Sequence, residues 1–148
     1  MQEKKILSSK LISLQLKQAI FLAFQKAKKH GATTVSSKFL LYGILKINNS
    51  LASKTISDIY GSQMIFNKKV EKILTKCEIE FKNIQNTNII DTEELTFSRP
   101  IRRLLFSIIR SIKNNKNHVI TTFQVLTILI KNKSLKIWIK NVLTDSKI

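Results

Sequence analysis

Two histidines, one cysteine and a short run of acids are the side chains that could do chemistry in this 148-residue chain. General acid–base catalysis needs titratable groups held at fixed geometry, and the spacing here organises none. His30 and His118 both fall at expected helix ends, and a protonated His30, directly before Gly31, would suit the negative end of a helix dipole. Cys77 is the single cysteine, so neither an internal disulfide nor a cysteine-built zinc site is available. On a helical segment it reads as a small hydrophobe. Asp91, Glu93 and Glu94 fall in an expected linker and read as a solvated charge run or an acidic docking spot. No Ser/His/Asp arrangement and no metal-ligand spacing occurs. The phosphate-cradling loop G-x-x-x-x-G-K-S/T is missing as well, in a chain with 3 glycines. ATP hydrolysis by this chain is excluded on that ground. The residues predict a protein that binds without catalysis, with no enzyme activity, no cofactor and no metal.

The composition sets what must position a binding surface. Hydrophobic residues make up 43% and charged residues 24%, a folding composition with room for one domain over 1–148. With 3 Gly and 1 Pro, long helices are expected over many short strands. No apolar run reaches the ~18–20 residues that span a bilayer, and the N-terminal stretch lacks the continuous apolar core of a signal peptide. The net charge of +17 is uneven: +8 over 1–61, −1 over 62–94 and +10 over 95–148. Such a surface attracts nucleic acid, anionic membranes or acidic proteins. Only 4 Arg are present, and the aromatics mostly follow apolar periodicity, which leaves a basic nucleic-acid-binding helical domain as the alternative function. Lys, Ile and Asn number 22, 23 and 11, the signature of an A/T-rich genome such as that of a plastid or a reduced bacterium.

The organisation emerges on shifting the chain by 85 residues. "TVSSKFLLYGILK" (34–46) then falls on "VITTFQVLTILIK" (119–131). Leu16, Ala19, Ile20, Ala23, Phe24 and Ala27 fall on Ile101, Leu104, Leu105, Ile108, Ile109 and Ile112, each set forming one apolar helix face. Each repeat predicts a helix, a tight link, a second helix and a short third helix. Gly31 closes the first helix in the left-handed conformation. Ser36 or Ser37 caps the second, as Thr121 or Thr122 does in repeat two. Third helices are expected at "LASKTISDIYG" and at "LKIWIKNVL". Ser98 and Pro100 open repeat two. Residues 66–81 predict a connecting helix with Val70, Ile73, Leu74 and Cys77 on one face, and 83–96 an exposed linker. The expected fold is all-α, with about seven to eight helices in two pseudo-twofold-related repeats, about 12–61 and 97–143, joined across about 62–96. Trp138, spaced with Leu135 and Val142, is expected to pack in or against the core.

These segments resemble the double repeat of the Clp ATPase N-terminal domain, of ClpA and ClpC type. The resemblance lies in the alanine-bearing helix "QAIFLAFQKAKKHG", the segment "VSSKFLLYGIL", the short helix "LASKTISDIYG" and the opening Phe97-Ser98-Arg99, and it covers about 12–143. Repeat two keeps the pattern but has lost the Gly and Ala signatures. The resemblance implies a stand-alone accessory, adaptor or substrate-binding module of a Clp-type protease or chaperone. Its partners would be Clp ATPase or protease core subunits or unfolded substrates. It would act in a plastid stroma, plastid-encoded, or otherwise in a bacterial cytoplasm. In that family the residues after the hydroxyl cap contact ligands and are commonly Glu-His. Here they are Lys38-Phe39 and Phe123-Gln124, and these four are the expected binding residues. The family's Glu is associated with phosphoarginine recognition, and Lys38 in its place would repel a guanidinium.

Overall fold

Ser13 starts the first helix. Its backbone is extended (φ −63°, ψ 154°) and its hydroxyl accepts a hydrogen bond from the Leu16 amide at 3.2 Å, so one of the four free donors of the first turn is satisfied. Helix α1 runs Leu14–Lys29 and buries Leu16, Ala19, Ile20, Ala23 and Ala27. It ends at His30 in a Schellman arrangement. Gly31 adopts φ 70°, its amide donates to the Lys28 carbonyl at 3.1 Å, and the Ala32 amide donates to the Ala27 carbonyl at 2.9 Å. The left-handed Gly31 expected from the sequence is present.

The computed structural model describes residues 12–47, 54, 66–84, 95–112 and 119–144. After α1 come strand β1 (Thr34–Val35), helix α2 (Ser37–Ile47), helix α3 (Phe66–Lys82), strand β2 (Thr96–Phe97) and helices α4 (Arg99–Ile112), α5 (Thr122–Lys131) and α6 (Lys133–Thr144). The described residues are thus mostly helical, with six helices. The third helix expected at 51–61 lies outside them except for Lys54, which is helical and exposed. Its counterpart falls within α6. The connecting helix is found where expected, burying Val70, Ile73, Cys77 and Phe81, with Leu74 at its margin.

The all-α expectation omitted one feature, a parallel pairing of β1 with β2 that matches Thr34 to Thr96 and Val35 to Phe97. Leu95 and Phe97 are buried, so the chain before α4 is not wholly the exposed linker foreseen. The Ser98 amide donates to the Val35 carbonyl at 3.0 Å. An isolated parallel bridge joins Ile12 to Ile120, and there the Ser13 amide donates to the Ile120 carbonyl at 2.9 Å. Buried backbone groups at the links between helices need partners, and each link finds them in the segment that opens the other half of the chain.

Helix α2 is buried at every residue from Phe39 to Leu45, as expected of a helix apolar on all sides and packed at the centre. It lies on α1, α3 and α5. Its approach to α1 depends on Gly43, where a Cβ atom would sit 2.2 Å from the Ala19 carbonyl oxygen. Helix α6 begins with the Asn132 side chain accepting from the Leu135 amide at 3.2 Å and buries Leu135, Ile139 and Val142 against α3 and α5. No helix among the described residues is long and apolar enough to cross a membrane.

Candidate partner-binding site at the starts of α2 and α5

The residues expected to bind a partner sit where two helix caps put them. Thr121 caps α5 with a reciprocal box: its hydroxyl accepts from the Gln124 amide at 3.4 Å, and the Gln124 side chain accepts from the Thr121 amide at 3.2 Å. Of the two candidates the cap is therefore Thr121, while Thr122 is buried. At α2 the Ser36 carbonyl accepts from the Leu40 amide at 3.1 Å, so Ser36 occupies the equivalent position.

The four expected residues divide by what they touch. Phe123 is 47% exposed, an apolar ring open to a partner. Gln124 uses its carbonyl oxygen in the capping box. Phe39 is 3% exposed and stacks on Phe81 of α3 with ring centroids 4.1 Å apart and planes 12° apart, so its ring is committed to packing and offers little surface. Lys38 is half-buried, and its ammonium donates to Glu80 Oε1 at 2.6 Å while lying 4.8 Å from the centre of the Trp138 ring. Trp138 Nε1 donates to the other oxygen of Glu80 at 2.6 Å. Glu80 therefore ties together α2, α3 and α6.

A second carboxylate does the same on the other shoulder of α3. Residues on a helix turn by about 100° each, so Glu78 and Glu80 flank the buried stripe of Cys77 and Phe81. Tyr42 donates to Glu78 Oε1 at 2.6 Å, and Lys26 of α1 pairs with the same oxygen at 2.8 Å. The Lys26 ammonium also lies 5.1 Å from the Tyr42 ring centre. Burial disfavours the charge of Glu78, but the Lys26 and Tyr42 hydrogen bonds outweigh it and hold the carboxyl below its usual range. Burial, then the Glu78 hydrogen bond, pushes the Tyr42 phenol up. A charge-assisted bond at 2.6 Å inside a partly desolvated cluster is a strong local contact. Glu78, Glu80 and Tyr42 were not foreseen. The signal was present in "KCEIEF", two acids straddling buried positions of a basic chain, but their partners are 36 to 58 residues away in sequence.

His30 lies at the C-terminal cap of α1, the helix end where it was expected. Burial and then the Lys26 charge lower its pKa, so the neutral ring is favoured over the dipole-stabilised cation. Its Nε2 is buried without a hydrogen-bond partner, and its ring lies 5.8 Å from Phe81. Cys77 is fully buried, and burial followed by Glu80 pushes its thiol to about 12, which suits packing and not nucleophilic chemistry. His118, Asp91, Glu93 and Glu94 lie outside the described residues. Among the described residues no group of three or more His, Cys, Asp or Glu is placed to hold a metal ion.

One further surface went unforeseen. An apolar groove of about 560 Å³ runs along α1 beside the end of α2, lined by Lys17, Gln18, Phe21, Leu22, Gln25 and Ile47. Phe21 is 60% exposed there. No protein-family model and no curated protein sequence matches the chain.

Proposed function

We propose that this chain is a non-catalytic accessory, adaptor or substrate-binding module of a Clp-type ATP-dependent protease or chaperone. It acts by protein–protein binding and is built from two helical repeats about a pseudo-twofold axis. One observation carries the reading. The Ile12–Ile120 bridge with its Ser13-to-Ile120 hydrogen bond, and the Phe97–Val35 pairing with its Ser98-to-Val35 hydrogen bond, interconvert when each residue moves by 85 positions. Helices α1 and α4 start 85 residues apart, as do α2 and α5. A duplicated unit whose halves exchange their opening segments accounts for this, and two unrelated helix pairs do not. The unit's residues are those that resemble the Clp N-terminal repeat. Exposed Phe123 and the α1 groove supply apolar surface for a protein partner. The compartment proposed is a plastid stroma.

The second reading, a basic nucleic-acid-binding domain, is favoured by the net charge of +17. Salt separates the two. Binding to random-sequence DNA that falls steeply and log-linearly with salt, with no association with a purified Clp ATPase ring at moderate salt, would reject the first reading. Ring association that persists at that salt would support it.

A further inference from the structure

The four arginines of the chain, among 26 basic residues, are Arg99, Arg102, Arg103 and Arg110, so all of them lie on α4 and α4 carries no lysine. Every basic residue elsewhere is lysine. In a sequence so biased toward lysine, this confinement marks a place where a point charge does not suffice. Arg differs from Lys in presenting a planar fork that matches a carboxylate in two parallel hydrogen bonds.

The structure gives that helix a concavity. A groove of about 290 Å³ is lined by Arg103, Phe106, Ser107 and Arg110. Shifted by 85 positions these become Gln18, Phe21, Leu22 and Gln25, four of the residues that line the apolar groove on α1. The same place on the two halves is thus concave twice, with Gln18 and Gln25 on one half where the other has Arg103 and Arg110. Arg103 and Arg110 are exposed, and neither has a carboxylate partner among the described residues, whose three acids, Glu71, Glu78 and Glu80, all lie on α3. Phe106 is half-buried between them and packs against the core.

We propose that this groove binds a protein segment carrying two carboxylates around an apolar residue, of the pattern Asp/Glu-x-apolar-x-Asp/Glu in extended form, with the three on one face. The two arginines are seven residues apart, about 10.5 Å along the helix axis. Side chains of an extended chain alternate faces, so carboxylates on one face lie two or four residues apart, and the four-residue spacing, about 13 Å at about 3.3 Å per residue, is within reach of two long arginine side chains. Each guanidinium takes one carboxylate, and the Phe106 ring meets the side chain between them. Nucleic acid is the less fitting occupant. Non-specific strand binding uses a groove that follows the backbone over about 4–16 nucleotides and rings that stack bases. Here the concavity is short and its one ring is half-buried.

Fluorescence anisotropy with the full chain and a labelled peptide containing Glu-Ser-Leu-Ser-Glu tests this at about 0.15 M salt, where long-range steering is screened. The expected result is saturable binding, weakened about tenfold or more both in the Gln-Ser-Leu-Ser-Gln peptide and by the double variant Arg103→Lys/Arg110→Lys, which keeps the charge and loses the forks. A control variant, Lys133→Gln/Lys136→Gln, removes two charges elsewhere and is expected to change affinity less than about twofold. The proposal is overturned if the lysine double variant, folded by circular dichroism, binds as the wild type does. It is equally overturned if the glutamine peptide binds as well as the glutamate one, or if a single-stranded oligonucleotide competes more strongly than the peptide at this salt. The assay contains no Clp subunit, so its failure and the failure of the Clp reading are separate results.

Discussion

Replacing Gly43 with alanine tests the close contact of α1 and α2 on which the first half of the chain is built. The new methyl carbon would stand 2.2 Å from the Ala19 carbonyl oxygen, 3.1 Å from its carbonyl carbon and 3.4 Å from the Ala23 amide nitrogen. All three are backbone atoms, so no rotamer change relieves the overlap and the helices must separate. Ordinary carbon contacts lie near 3.5–4.0 Å, so the separation needed exceeds about 1 Å. Overpacking of this kind costs about 1–3 kcal/mol, and its rigidity puts this case at the upper end. The gain from replacing a mid-helix glycine is about 1 kcal/mol. The net is a loss of about 2 kcal/mol, or roughly 4–8 °C in Tm for a chain of this size. Urea unfolding followed by circular dichroism measures it. A Gly43→Ala protein as stable as the wild type, or more so, would refute the interhelical packing described.

Three further outcomes follow from the polar cluster and the buried groups. Glu80→Ala removes the common acceptor of Lys38 and Trp138; with the ion pair about a third exposed, the cost is about 0.5–1 kcal/mol, and the emission of Trp138, the single tryptophan, is expected to shift, whereas an unchanged spectrum would show that the contact is not made in solution. Cys77, its thiol pushed to about 12 by burial, is expected to resist a thiol reagent at pH 8 until urea unfolds the chain, and rapid labelling of the native protein would contradict its placement. Acid should destabilise the fold in two stages. His30, lowered from 6.5, binds its proton less readily when folded, so stability falls as pH drops below that value. The contribution of Glu78, lowered from 4.5, is present above that value and is lost as pH falls through the folded pKa. His30→Gln should flatten the first stage of a urea-midpoint-against-pH curve and Glu78→Gln the second; unchanged curves would rule the assignments out.

Local rules carry far in this chain. The Thr121 cap, the Gly31 stop and the apolar face of α3 follow from interactions within a few residues, which sequence spacing reports directly. The links between halves are different. Val35 and Phe97 were visible as apolar residues before hydroxyl caps, but their pairing as parallel strands depends on segments 62 residues apart meeting in space. The burial of Phe39 follows from α2 being covered on all sides, where periodicity no longer distinguishes an inner face. Nothing local marks Tyr42, Lys26, Lys38 or Trp138 as the partners of Glu78 and Glu80. The reason for Gly43, a neighbouring backbone at contact distance, exists only in the packed structure.

Binding to a Clp machine is the function proposed for this chain. Affinity purification of the full tagged chain from its native compartment at moderate salt, followed by mass spectrometry, tests it most directly. A Clp ATPase or protease core subunit recovered with the chain is the predicted result; recovery of no Clp subunit, or only of nucleic acid released by raising the salt, would contradict it.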